Sequence, residues 1–304
     1  MSIHVTILGC GSATPTLFRN PTSQWLEIHG HYYLIDCGEG TQTQLLKYRL
    51  KMSKLKAVFI SHLHGDHFFG LPGLISSMHL MGRREKLKVF GPPGLFEILD
   101  GIFKHSETEL RFPIEYHQID TSHSASILES DSYTISSLPL RHRIPCSGFL
   151  FQEKTRPRNL RPEMIKFYDV PVAERKKIKK GADFININGD VIPNEILTLD
   201  PSRSVSYAFC SDTAPNDDLL PLIKHVTALY HEATFEDELL ERAQLTFHST
   251  ASQAAEVAKQ AEVEQLFIGH FSSRYRDTEI IESQAKAIFA NTKAVHDGFV
   301  FEVM

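Results

Sequence analysis

No apolar run in this 304-residue chain approaches the ~18 residues that a membrane span needs, so no membrane partner is expected. Cysteine is scarce. Cys10, Cys37, Cys146 and Cys210 are scattered with no C-x-x-C pair, which fits reduced thiols in a cytoplasmic protein. Positive charge is not in excess: 32 Lys and Arg stand against 37 Asp and Glu, a net charge of −5. That balance argues against a protein that coats nucleic acid indiscriminately. The first residues, "MSIHVTILGCGSATP", lack a basic segment and carry only a short apolar run, so they read as a structural strand rather than a secretion signal. No fixed-period repeat is present. Histidine is abundant, with sixteen copies.

Three of those histidines crowd one short stretch, "FISHLHGDHFFG" (residues 59–70), together with an aspartate. Each of His62, His64, Asp66 and His67 is costly to bury unless hydrogen-bonded or metal-bound. They follow "KLKAVFI", which reads as a buried strand ending at about Ser61. In an extended segment residues two apart face the same way, so His62, His64 and Asp66 would line one cavity. Gly65 would permit a sharp turn that swings His67 in from the other side. Imidazole nitrogens and carboxylate oxygens suit zinc and similar divalent ions. So many donors exceed the needs of one ion, and pairs of ions are a common device for phosphoester hydrolysis.

Strand-like runs alternate with amphipathic stretches over most of the chain. "HVTILG", "WLEIHG" and "YYLIDCG" suggest a β-meander, "FFGLPGLISSMHLM" a helix, and "DDLLPLIKH" another. Thr250 and Gln253 in "STASQAAEVAKQ" stand at capping-box spacing and predict a helix start. Two halves that each mix strands and helices suggest a layered α/β sandwich. Residues 152–199 break this rhythm. Between Lys154 and Lys180 lie ten Lys or Arg and only three Asp or Glu, including Lys176, Lys177, Lys179 and Lys180. This basic excursion reads either as a solvated insertion or as a flexible arm for phosphates.

"HLHGDH" is the H-x-H-x-D-H signature of the metallo-β-lactamase superfamily, and the chain as a whole resembles the ribonuclease Z family, endonucleases that trim the 3′ end of precursor tRNA. The resemblance rests also on "DCGEGTQ" (36–42), "RH" ending at His142, "SDT" (211–213), "HEAT" (231–234), "HST" (248–250) and "GHFSSRY" (269–275). It implies one αββα four-layer sandwich over residues 1–304, with the segment at 152–199 as an inserted, protruding tRNA-binding arm. It implies that His62, His64 and His142 hold one metal, that Asp66, His67 and His270 hold a second, and that Asp212 bridges them. The expected cofactors are two zinc ions per subunit, with manganese or another divalent metal as alternatives. Asp36 is expected to orient a metal histidine; a plain turn aspartate is the other reading.

The same resemblance casts Glu232 and His248 as a relay to the leaving group. The metals and Asp66 would prepare a hydroxide to attack phosphorus, and His248 would protonate the departing 3′ oxygen. His248 precedes a predicted helix N-terminus, whose dipole disfavours imidazolium, and Glu232 would offset this. Arg19 and Asn20 fit the family's P-x-K-x-R-N loop, although Leu17 stands where that loop has lysine. With Ser273, Arg274 and the arm lysines they are the expected RNA contacts. The partners implied are precursor tRNA and a second copy of the chain in a homodimer. Rival readings are a phosphodiesterase for small substrates, a metal-bearing RNA-binding protein without turnover, and a β-lactamase or thiolester hydrolase. Small substrates do not need ten cationic side chains, metal ligation does not need Glu232 and His248, and the last two activities leave "HEAT" and "HST" unexplained.

Overall fold

The computed structural model describes residues 3–304. The larger of its two units, residues up to 129, 134–152 and 205–304, is built on two seven-stranded sheets. In the first, Val300–Val303, Ile3–Gly9, Ser23–Ile28 and His31–Ile35 are antiparallel neighbours, and Leu55–Phe59, Leu87–Gly91 and Ile114–Gln118 continue it in parallel. In the second, Thr292–Ala294, Gln265–Gly269, Ala228–Glu232 and Ser206–Cys210 run parallel. Ser147–Glu153, Tyr133–Pro139 and Ala125–Glu129 complete that sheet.

The sheets face each other across an aromatic layer. Phe59 lies 5.3 Å from Phe149 and 5.7 Å from Phe151, centroid to centroid, and Tyr33 meets Phe151 at 6.1 Å. Such pairs add about 0.5–1.5 kcal/mol each beyond their area burial. A polar tie crosses this layer in the form of the Tyr207 hydroxyl, which donates to Gln24 Oε1 at 2.5 Å. On the outer face of the first sheet, helix Gly70–Leu80 buries Leu71, Leu74, Ile75 and Met78, one stripe at helical spacing. Leu99 and Phe103 of helix Leu95–His105 join the same core. Helices Ala251–Gln260 and Glu279–Ile288 bury small residues, Ala254, Ala255, Ala258 and Ala285, which let them lie close to the second sheet. The order is therefore helix, sheet, sheet, helix.

Several local expectations need correction. The strand before the histidine cluster ends at Phe59 rather than Ser61. Ser61 N–H is taken from the ladder by the Asp36 carboxylate, 2.8 Å away. Asp66 and His67 do not continue an extended run: Gly65–Phe68 is a helical turn with extended His64 at its start. The helix expected through "DDLLPLIKH" is a 3-10 turn, Asp217–Leu222, because Pro221 has no N–H to continue an α-helix. The helix Leu240–Thr246 and the strand Ala125–Glu129 had no clear signal in the sequence.

The smaller unit comprises residues 130–133 and 153–204. It holds helices Pro162–Phe167, Val172–Ile178 and Asn194–Leu197 around a core of its own: Ile165, Val170, Ile178, Phe184, Ile192 and Leu197. Lys176, Lys177, Lys179 and Lys180 are all exposed, and of the four only Lys177 has an ion-pair partner among the described residues, Glu174.

Candidate metal centre and active site

Strand ends build the site. Asp36 and His270 directly follow a strand and Asp212 lies two residues past one, and Asp36, Asp212 and His270 each take a left-handed backbone conformation, with φ of 55°, 60° and 59°. Side chains other than glycine rarely adopt this region, and it recurs where function fixes the backbone. The loop Ser61–His64 and the turn that follows deliver His62, His64, Asp66 and His67 from the first sheet. His142 comes from the loop between Tyr133–Pro139 and Ser147–Glu153.

All seven expected ligands converge. His62 Nε2 lies 3.0 Å from His64 Nδ1, and His142 Nε2 lies 3.2 Å from that same atom. His67 Nε2 and His270 Nε2 are 3.3 Å apart, with Asp66 Oδ2 at 3.5 and 3.6 Å from them. Asp212 stands between the groups: Oδ1 is 3.1 Å from both His67 Nε2 and His270 Nε2, while Oδ2 is 3.6 Å from His62 Nε2 and 3.9 Å from His142 Nε2. Zn–N bonds of ~2.1 Å imply tetrahedral edges of roughly 3.4 Å, the spacing seen here.

The far nitrogens of four of the five histidines are held as ligation requires. His67 Nδ1 bonds Asp36 Oδ2 at 2.7 Å, His142 Nδ1 the Phe247 carbonyl at 3.1 Å, and His270 Nδ1 the Thr234 hydroxyl at 2.9 Å. His62 Nδ1 meets Ser61 Oγ at 3.0 Å. Such outer partners fix the tautomer and aim the other nitrogen at a metal. Asp36 is thus more than a turn residue, since it also accepts from Ser61 Oγ at 2.9 Å.

Charge fits as well. Burial lowers the pKa of His62, His64 and His142, which leaves them neutral with lone pairs to offer. Burial also disfavours a charged His67, but Asp212, Asp66 and Asp36 outweigh it and hold its pKa well above the usual value. Three carboxylates converging on one imidazole are the complement of cationic charge. The donor set therefore fits divalent metal.

Beside the ligands, Glu232 is a fully buried carboxylate. Oε1 accepts from His248 Nδ1 at 2.8 Å and Thr213 N–H at 2.7 Å; Oε2 accepts from the Thr234 hydroxyl at 2.5 Å and Ser249 N–H at 3.1 Å. Burial alone would lower the His248 pKa, but the Glu232 charge and hydrogen bond raise it to about 9. Glu232 in turn is pushed up by burial and pulled below its usual value by His248. The geometry and the two shifts make this an imidazolium–carboxylate pair. Thr250 caps helix Ala251–Gln260 in a full capping box, as its spacing predicts. His231 turns away and bonds the Glu232 carbonyl at 2.7 Å.

A cavity of about 450 Å³ opens on these groups, lined by His64, Asp66, Asp212 and His248 with Pro15, Glu39, Phe69 and Arg143. The expected RNA contacts divide. Ser273 and Arg274 are exposed, the latter stacked over Phe235 at 5.3 Å. Arg19 is buried, and its guanidinium donates to the Tyr275 and Arg276 carbonyls at 2.6 and 3.1 Å. Asn20 donates from N–H and Nδ2 to Asp297 Oδ2, both at 2.8 Å. The polar groups of Arg19 and Asn20 thus brace the loop, whose Ala13 N–H donates to Asp66 Oδ2 at 2.7 Å. The sequence reading passed over Thr234, Phe69, Arg143 and Asp297. Thr234 sits inside the quoted "HEAT", but nothing in that word says that its hydroxyl joins His270 to Glu232.

Known proteins resemble this chain throughout its length. A family model described as anti-Pycsar protein Apyc1 matches residues 3–156, a stretch that contains His62–His67 and His142 but not Asp212, Glu232, His248 or His270. Ribonuclease Z of Bacteroides fragilis is 46% identical over 94% of both chains. Ribonuclease Z of Cytophaga hutchinsonii is 47% identical over all of this chain and 97% of its own. Among solved structures, human tRNase Z, short form, matches with a TM-score of 0.72 and 26% identity over 99% of each chain. The metallo-β-lactamase fold protein YhfI of Bacillus subtilis reaches 0.70 at 18% identity over 99% of this chain and 98% of its own, a likeness of fold.

Proposed function

Because the chain belongs to the ribonuclease Z family and is an endoribonuclease of tRNA 3′-end processing, we propose that it removes the 3′ trailer of precursor tRNA at two zinc ions. His62, His64 and His142 would hold one ion, Asp66, His67 and His270 the other, with Asp212 shared. The observation that carries this is the placement of Asp212, one oxygen toward each histidine group. Bound divalent ions supply charge neutralisation at the phosphoryl oxygens and acidify water.

The chain's own groups do the rest. Asp66 would accept a proton from the attacking water. His248 Nε2 would give its proton to the 3′ oxygen of the trimmed tRNA, with Glu232 holding the ring and favouring the charged form. The products would be a tRNA 3′ hydroxyl and a 5′-phosphorylated trailer. The basic unit at 153–204 would hold tRNA phosphates in this reading, in a homodimer where the arm of one subunit serves the site of the other. Four buried, unpaired cysteines suit a reducing compartment such as the cytoplasm; no described helix is long and apolar enough to cross a membrane.

Incubating the purified protein with a labelled 3′-extended precursor tRNA, zinc-loaded and after chelation, tests the reading. Cleavage with the stated ends, lost on chelation and restored by metal, is expected. Cleavage that survives complete metal removal, or none with metal loaded, would overturn it.

A further inference from the structure

Among the side chains that line the cavity without a part in the chemistry above are Phe69 and Arg143. Phe69 is 59% exposed, and it lines the cavity beside His64, Asp66 and His248. Its position is fixed rather than loose. Its backbone N–H closes the turn onto the Gly65 carbonyl at 2.9 Å, and its ring meets buried Phe68 edge-on at 4.9 Å. The ring lies over Gly65, where a Cβ would stand 2.3 Å from Cε2. Gly65 has no positive φ, so the sharp turn expected of it is not its role. Its missing side chain makes room for the Phe69 ring. Arg143, exposed one residue beyond His142, lines the same cavity and has no hydrogen-bond or ion-pair partner among the described residues.

A rigid open ring and an unpaired guanidinium beside a phosphoester-cleaving centre match the two parts of a nucleotide. Aromatic faces take bases of any identity, and arginine takes phosphate. The cavity volume, about 450 Å³, is within the ~300–1,000 Å³ range of small-ligand sites. We propose that Phe69 and Arg143 form the subsite for a nucleotide next to the scissile phosphate, with the base stacked on Phe69 and its phosphate paired with Arg143. This rests on the endoribonuclease reading and adds a base-tolerant grip at the cut itself.

The test crosses protein and substrate variants. KM and kcat are measured for wild type, Phe69→Ala, Phe69→Trp and Arg143→Ala on precursor tRNA and on two versions lacking the base 5′ or 3′ of the cut. Zinc content is checked for each. Phe69→Ala should raise KM about 5- to 100-fold on intact RNA with its metal retained, and Phe69→Trp should restore it. On the RNA that lacks the stacked base, wild type should fall to the level of Phe69→Ala, and the substitution should add little. Arg143→Ala should raise KM on all three RNAs. An unchanged KM for Phe69→Ala, or equal losses on intact RNA and both base-deleted RNAs, would overturn the subsite while the enzyme still cleaves. A zinc-loaded wild type that cuts none of these RNAs would refute the endoribonuclease reading, and the subsite with it.

Discussion

Proton delivery is separable from metal chemistry at the level of single residues. His248 Nδ1 is bound to buried Glu232, so Ala at 248 deletes the proposed acid and leaves Glu232 with its backbone donors Thr213 and Ser249. An RNA leaving group is an alkoxide that needs a proton as the P–O bond breaks; nitrophenolate does not. General acids contribute ~10²–10⁴-fold. His248→Ala should lose about that factor in kcat on precursor tRNA, lose far less on a nitrophenyl phosphodiester, and keep its zinc. Glu232→Gln should show the same selectivity more mildly, because the imidazole remains but its charged form is less favoured. The double variant should be little worse than His248→Ala, since the two act as a unit. Equal losses on both substrates, with zinc gone, would show that His248 serves the metal site, next to Asp212 and His270 with which its donor atoms cluster.

Helix Ala251–Gln260 carries the segment before it as part of its cap. The Thr250 hydroxyl accepts from Gln253 N–H while the Gln253 side chain accepts from Thr250 N–H, and the next N–H upstream, Ser249, donates to Glu232. Thr250→Ala should cost about 1 kcal/mol, a fall of roughly 2–4 °C in Tm for a chain of this class, with Thr250→Ser near normal. Cleavage should persist, because His248 N–H is separately held by the Ala243 carbonyl at 2.9 Å. Loss of cleavage as severe as that of His248→Ala, at unchanged Tm, would mean that the cap places the imidazole. This cap was legible because both of its partners lie within four residues. So was the convergence of His62, His64, Asp66 and His67, since a strand followed by H-x-H-x-D-H leaves few other uses for four donors at the edge of a core. The orienting partners were mostly hidden. Phe247 acts through a backbone carbonyl, which has no sequence signature. The bracing role of Arg19 was hidden too, because its carbonyl partners at Tyr275 and Arg276 lie more than 250 residues on. Gly65 looked like a turn residue because its missing Cβ is filled by a neighbour only once the turn is wound.

At the scale of the whole molecule, an acidic chain of net charge −5 must bind a polyanion, so attraction must be local. In the proposed reading the smaller unit supplies it, and its architecture dictates how to test it. Cutting out 155–180 would remove Ile165, Val170 and Ile178 and strip Phe184, Ile192 and Leu197 of their core, so any loss would be ambiguous. Lys176, Lys179 and Lys180 offer a cleaner route, being exposed, close together at the end of helix Val172–Ile178, and without an ion-pair partner among the described residues. If each neutralises one tRNA phosphate, replacing all three with alanine should reduce the slope of log affinity against log salt by roughly 2–3 units. KM for precursor tRNA should rise steeply at moderate salt, while kcat and hydrolysis of a small nitrophenyl phosphodiester hold. An unchanged salt slope would make this face of the arm a bystander. A reduced slope with equal loss on the small phosphodiester would show that these lysines support the catalytic centre and do not grip RNA.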